Sequence, residues 1–297
     1  MNFDPTGYTW VHEHLHIDLS GFKNNLDCRL DQYDLICQEM KDLRALGVSN
    51  IIEMTNRYMG RNPQFMLDLM RDTGINVMAC TGYYQDAFFP EHVAARSVEQ
   101  LAQEMVDEIV IGIDGTELKA GIIAEIGSSE GVITPLEEKV FIAAARAHIE
   151  TGRPISTHTS FSTMGLEQLV LLQAHGVDLS RVTVGHCDLK DNLDNILRMI
   201  DLGAYVQFDT IGKNNYYPDE NRIGMLHELR NRGLLNRVML SMDITRRSHL
   251  KANGGNGYDY LLTTFIPQLR QSGFSQADVD TMLRDNPSQL FPIRTES

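Results

Sequence analysis

Six glycines, at positions 47, 74, 152, 176, 203 and 233, each follow an amphipathic segment and stand just ahead of a short apolar run. Glycine enters the left-handed conformation that ends a helix without a Cβ clash, so each reads as a helix C-cap leading into a strand. Six such passages constrain the topology more than any single element, because strands joined through helices run parallel. The expected strands are Thr9–Leu15, Asn50–Met54, Asn76–Gly82, Gly121–Glu125, Ile155–Thr159, Val182–His186, Ala204–Phe208 and Val238–Met242. Helical patterns between them include Tyr33–Leu46, Pro63–Arg71, Val98–Val110 and Leu166–His175, and Thr134-Pro135-Leu136-Glu137 has the capping residues of a further helix start. Past Met242 the pattern predicts helices around Tyr258–Arg270 and Gln276–Arg284.

Eight strands in 297 residues favour an α/β fold of one kind, a closed (β/α)8 TIM barrel, over an open doubly wound sheet. No GxGxxG follows the first strand, which counts against dinucleotide binding. No Pro/Ser/Gly-rich linker divides the chain, so residues 1–297 read as a single domain.

Composition excludes several classes. With 42% hydrophobic and 22% charged residues the chain is neither disordered nor fibrous. A formal charge of −14 argues against partners such as nucleic acid or an anionic membrane. The N-terminus lacks the basic start and apolar core of a secretory signal, and no apolar run reaches membrane-spanning length. Cysteines 28, 37, 80 and 187 form no CxxC pair and read as free thiols of a cytoplasmic protein.

The chemistry of such a barrel sits at the C-terminal ends of its strands. There the sequence places His12 and His14, Glu125, His158, His186 and Asp243. Residues two apart on a strand share a face, so His12 and His14 both reach the interior. One histidine at a strand end is usually an ordinary core or surface group. Six imidazoles and carboxylates at one rim are different, since isolated buried carboxylates are costly and metal ions would partner all six at once. Imidazole suits zinc, iron, manganese or nickel, and a carboxylate can join two cations that share one hydroxide.

Other residues have two readings. Tyr84, with Tyr83, either reaches over the metals or packs on the Phe88-Phe89-Pro90 loop. His16 reads as a site residue or a loop hydrogen-bonder, His249 as a support of the site or a solvated loop residue, Cys187 as a small core residue, and His92, His148, His175 and His227 as ordinary. Arg246 and Arg247 follow Asp243 and either pair with surface acids or clamp an anionic substrate; adjacent loop residues point apart, so one of the two is expected to face the pocket.

The segments VHEHLHIDL, AEIG, STHTSF, VGHCD and LSMDIT, within a span from GYTWVHEHL to DNPSQLF, resemble the phosphotriesterase branch of the amidohydrolase superfamily. The resemblance implies an amidohydrolase-like barrel and a binuclear centre with two divalent metal ions per chain. Zn2+ is favoured, and the ligand set also takes Mn2+, Co2+ or Ni2+. It implies that His12, His14 and Asp243 hold the more buried metal, that His158 and His186 hold the more exposed one, and that Glu125 bridges them. The expected activity is that of a phosphotriesterase- or lactonase-like hydrolase. A metal-bridging hydroxide attacks an ester or amide bond of a small molecule, and Asp243 takes up the proton. Many members bridge the metals with a carbamylated lysine; Glu125 stands there instead, so the site should assemble without carbon dioxide. The lactonases carry an arginine after the strand-7 aspartate; here the run is Phe208-Asp209-Thr210-Ile211. The alternative is a noncatalytic metal-binding or partner-binding barrel. A Schiff-base aldolase is disfavoured, because no lysine occupies these strand ends. The sequence is compatible with a homo-oligomer.

Overall fold

The computed structural model describes residues 3–291, so the outermost residues of the expected 1–297 domain lie outside the described residues. Eight parallel strands follow one another round a nearly closed barrel in chain order. They are β1 (Tyr8–Glu13), β2 (Val48–Glu53), β3 (Asn76–Thr81), β4 (Ile122–Ser128), β5 (Ile155–Thr159), β6 (Val182–Val184), β7 (Tyr205–Phe208) and β8 (Val238–Leu240). A two-residue antiparallel pair, Ile17–Asp18 with Arg29–Leu30, lies in the loop after β1.

All six glycines take the left-handed conformation, with φ from 65° to 101°. Thr134 and Glu137 form the expected capping box on helix Pro135–Thr151. Glu137, fully buried, also accepts from Ser129 Oγ at 2.7 Å and from Asp86 N at 3.3 Å, and so ties the loops after β3 and β4 to that helix. Helix Val98–Val110 spans the expected residues. The first C-terminal helical segment starts later than expected, as a π-helical turn at Leu261–Phe265 leading into Ile266–Gln271. The second runs on past Arg284 to Leu290.

The strand limits differ where they matter most. β4 continues to Ser128 because Gly127 and Ser128 keep pairing with His158 and Thr159, so Glu125 sits within a strand instead of at its end. β6 and β8 stop two residues early. Their chemistry-bearing residues, His186 and Asp243, lie beyond them with φ of 55° and 51°, outside any strand conformation.

Between β1 and β8 the closure is made largely by side chains. Ser241 Oγ accepts from His12 N at 3.1 Å and donates to the carboxylate of Glu13 at 2.8 Å. An apolar cluster of Val11, Ile52, Met54, Met78, Cys80, Ile122, Ala124, Tyr205 and Met239 is joined by Phe3, Leu290 and Phe291, which brings the two ends of the described chain together. All four cysteines are free and buried. Among the described residues no helix is long and apolar enough to cross a membrane.

Candidate metal centre

Glu125 is the hub of the site. Its Oε1 lies 2.8 Å from His158 Nδ1, 3.1 Å from His186 Nε2 and 3.3 Å from His12 Nε2. Asp243 Oδ1 lies 3.3 Å from His14 Nε2 and 3.9 Å from His12 Nε2. All six residues expected from the sequence therefore meet in one cluster, and all six are buried. Their ligand atoms fall into three overlapping groups: His12, His14 and Glu125; His12, His186 and Asp243; and Glu125, His158 and His186.

The surrounding residues fix which ring nitrogen faces inward. His14 Nδ1 is 2.8 Å from Thr55 Oγ1, whose hydroxyl donates to Glu53 Oε1 at 2.6 Å. With its proton committed to Glu53, Thr55 can only accept from His14. His12 Nδ1 lies 2.9 Å from Gln207 Oε1 and 3.0 Å from Asp209 Oδ2. In each case Nδ1–H is spent outward and the Nε2 lone pair is presented to the cluster, the arrangement that metal-binding histidines use. Glu13, the acid of the HEH run, is also fully buried. It accepts from Ser241 Oγ and Met242 N at 2.8 Å and from Ile244 N at 3.0 Å, which fixes the chain on both sides of Asp243.

This geometry fits divalent metal ions. His12 Nε2 is completely buried and has no hydrogen-bond partner, an orphan that a cation would satisfy. Burial alone would raise the Glu125 carboxyl, but His158 and His12 outweigh it and hold it well below the usual range. Burial likewise opposes charge on His12, and Asp209 and Glu125 overcome it and raise the imidazole well above its ordinary value. A site that stabilises this much charge suits cations held by imidazole and carboxylate.

Above the cluster opens a cavity of about 620 Å³. Tyr84 lies in its wall, with its hydroxyl 3.3 Å from His158 Nε2 and its ring 5.0 Å from Phe88. Gly127 permits this approach, since a Cβ there would meet Tyr84 O at 2.7 Å. Tyr83 turns the other way, buried and stacked 5.4 Å from Tyr58. The two arginines turn to different partners. Arg246 lines the cavity, with Asp27 Oδ2 3.6 Å away, whereas Arg247 turns to Asp31 at 2.6 Å and to the Arg29 carbonyl.

His249 departs from the solvated reading: it lines the cavity and is pushed down to about 4 by burial and by Lys213. His16 bonds Gly60 O at 2.7 Å, and Cys187 is buried. His92, His148, His175 and His227 lie off the cavity wall.

Sequence reasoning missed Glu53, Thr55, Gln207, Asp209 and Lys213. Lys213 lies five residues beyond β7, away from the strand ends, yet its ammonium reaches Asp243 Oδ2. Gln207 left a usable signal as the lone polar residue inside the apolar strand YVQF.

Similarity to known proteins follows the same lines. The profile of the phosphotriesterase family matches residues 2–291. The chain is 87% identical to the phosphotriesterase homology protein of Escherichia coli (strain K12) over 291 residues, covering 98% of this chain and 100% of that protein. A crystal structure of the Escherichia coli phosphotriesterase homology protein, complexed with phosphate in its active site, superposes with a TM-score of 0.97 at 88% identity, covering 97% of this chain and 100% of that one. An N-acetyltaurine hydrolase of Dictyostelium discoideum is 33% identical over 283 residues, 91% of this chain and 76% of that protein. A lactonase from Listeria monocytogenes superposes with a TM-score of 0.91 at 28% identity, covering 97% of this chain and 95% of that one.

Proposed function

The chain belongs to the phosphotriesterase family, and on that premise we propose that it is a hydrolase dependent on two divalent metal ions, acting on an ester or amide bond of a small anionic molecule. The observation that carries the reading is the buried, unpartnered Nε2 of His12, whose Nδ1 is already committed and which faces a carboxylate shared with two further imidazoles. In this reading His12, His14 and Asp243 hold one metal, His158 and His186 hold the other, and Glu125 bridges them. Zn2+ is the first choice, with Mn2+, Co2+ and Ni2+ as substitutes. When bound, such metals polarise the scissile carbonyl or phosphoryl oxygen and make water nucleophilic at neutral pH.

The chain's own residues account for the remaining steps. Asp243 accepts the proton of the attacking water on Oδ1 and returns it to the leaving oxygen or nitrogen as the scissile bond breaks. Lys213, on the other carboxylate oxygen, fixes the orientation of Asp243 and leaves Oδ1 turned to the cluster. Tyr84 closes the side next to His158 and restricts water there. Arg246 and Lys213 supply positive charge to the cavity wall of an otherwise acidic chain, which supports an anionic substrate. The bond class is supported by relatives named for hydrolysis of an amide, in N-acetyltaurine hydrolase, and of a lactone. Anion binding is supported by the phosphate in the active site of the Escherichia coli relative. The free, buried cysteines support a reducing compartment such as the cytoplasm.

The test is a hydrolysis screen of carboxylic esters, lactones, phosphoesters and N-acyl amino acids, with the protein reconstituted in each metal. Turnover of an anionic ester or amide is expected. Tight metal binding without turnover of any class would favour the noncatalytic barrel.

A further inference from the structure

Asp209 is fully buried one residue past β7, and its carboxylate meets two of the cluster's histidines at once. Oδ2 lies 3.0 Å from His12 Nδ1 and Oδ1 lies 2.9 Å from His186 Nδ1. The backbone N–H of His186 donates to the same two oxygens, at 3.0 and 3.1 Å. Asp209 thus holds both the ring and the left-handed backbone of His186. The glycine of VGHCD makes room for this contact: a Cβ on Gly185 would lie 3.2 Å from Asp209 Oδ2 and 2.6 Å from Thr157 O. An ionised carboxylate only accepts hydrogen bonds. Both Nδ1 atoms must therefore carry protons, and both Nε2 atoms face Glu125, at 3.3 and 3.1 Å. His14 has a separate support in Thr55, and His158 turns its Nδ1 to Glu125.

We propose that Asp209 is a positioning residue common to both halves of the metal centre, its single carboxylate fixing the tautomer and aim of His12 and His186 together so that the two metals are held interdependently. The inference rests on the binuclear reading above. It assigns His12 and His186 to different metals, so a change at one outer residue should be felt at both.

The experiment titrates the metal-free chain with Co2+, reading bound metal by elemental analysis and each site by its absorption band, in wild type, Asp209→Ala and Thr55→Val. Loss of a residue that orients a metal-binding histidine typically costs about 10–100-fold in metal affinity. Asp209→Ala is expected to weaken both metals at least about tenfold, with the larger loss at the His186 metal, because His12 keeps Gln207 as an acceptor. Thr55→Val removes a support of His14 alone and is expected to weaken one metal. Wild-type affinity at both sites in Asp209→Ala, or loss at one site only, would overturn the proposal. Nitrogen-15 NMR of the histidine rings in the zinc-loaded wild type gives an independent answer even where the alanine variant does not fold. Protonated Nδ1 on both His12 and His186 is expected, and an unprotonated Nδ1 on either would overturn the shared role. A wild-type chain that binds fewer than two metals contradicts the binuclear reading, and the NMR result still decides whether Asp209 fixes both rings.

Discussion

Lys213 sets its ammonium on Oδ2 of Asp243, while the other oxygen of the same carboxylate lies 3.3 Å from His14 Nε2. Burial alone would raise the Asp243 carboxyl; Lys213 and the neighbouring imidazoles outweigh burial and hold it well below the usual carboxylate range. A cation in that position fixes the Asp243 carboxylate in its ionised form and orientation, and adds positive charge to the cavity. Replacing Lys213 by Met is expected to lower kcat/KM by about 10–100-fold, corresponding to loss of a charged hydrogen bond of roughly 1.5–3 kcal/mol. Steady-state kinetics of the folded, metal-loaded variant check this, and unchanged kcat/KM would remove Lys213 from the mechanism.

The two adjacent arginines give a paired comparison. Arg246→Met is expected to weaken turnover of carboxylate- or phosphate-bearing substrates by about 1.5–3 kcal/mol in kcat/KM while sparing neutral ones. Arg247→Met, which loses contacts to Asp31 and the Arg29 carbonyl away from the cavity, is expected to leave both substrate classes nearly unchanged. Equal losses on charged and neutral substrates in Arg246→Met would count against an anion clamp.

Glu125 carries its carboxylate from synthesis, so assembly of the centre should need no carbon dioxide. Metal uptake by the metal-free chain, followed with and without added bicarbonate, is expected to be identical. Glu125→Ala is expected to lose the paired centre, because the cations would then face each other with less negative charge between them. Clear stimulation of wild-type uptake by bicarbonate would contradict the bridge.

His249 supplies a pH dependence. Its ordinary value is 6.5, and in the fold burial and the Lys213 ammonium push it down to about 4. Between these two values the unfolded chain binds a proton that the folded chain does not. Folding stability from this group is therefore complete above the upper value and falls as pH drops through the window. Urea midpoints at pH 7 and pH 5 are expected to fall less in His249→Asn than in wild type. Equal falls in the two proteins would show that His249 does not titrate in this way.

What the sequence made legible was local, and what it hid depended on partners distant along the chain. The glycine caps and the alternating pattern announced the barrel because each cap is decided within a few residues. His12, His14, His158, His186 and Asp243 stood out as polar residues where apolar strands run out, and Glu125 as an acid inside GIIAE. The limits of β6 and β8 were overextended because nothing in VTVGH or LSMD records that His186 and Asp243 leave the strand with positive φ. Asp209 and Gln207 gain their roles only when β7 is placed beside β6 and His12 comes within reach across the interior. Lys213 depends on a turn, Lys213 N to Thr210 O at 3.0 Å, that carries the loop back over Asp243.

The central claim is that two metals, held by these six residues, make this chain a hydrolase. The most direct measurement adds Zn2+ stepwise to metal-free protein and follows turnover of the best substrate against equivalents added. Activity is expected to be absent without metal, to saturate at two equivalents per chain, and to fail to reach that plateau in His12→Ala and in His158→Ala. Full activity in the metal-free chain, or saturation at a single equivalent with both variants unimpaired, would contradict the account.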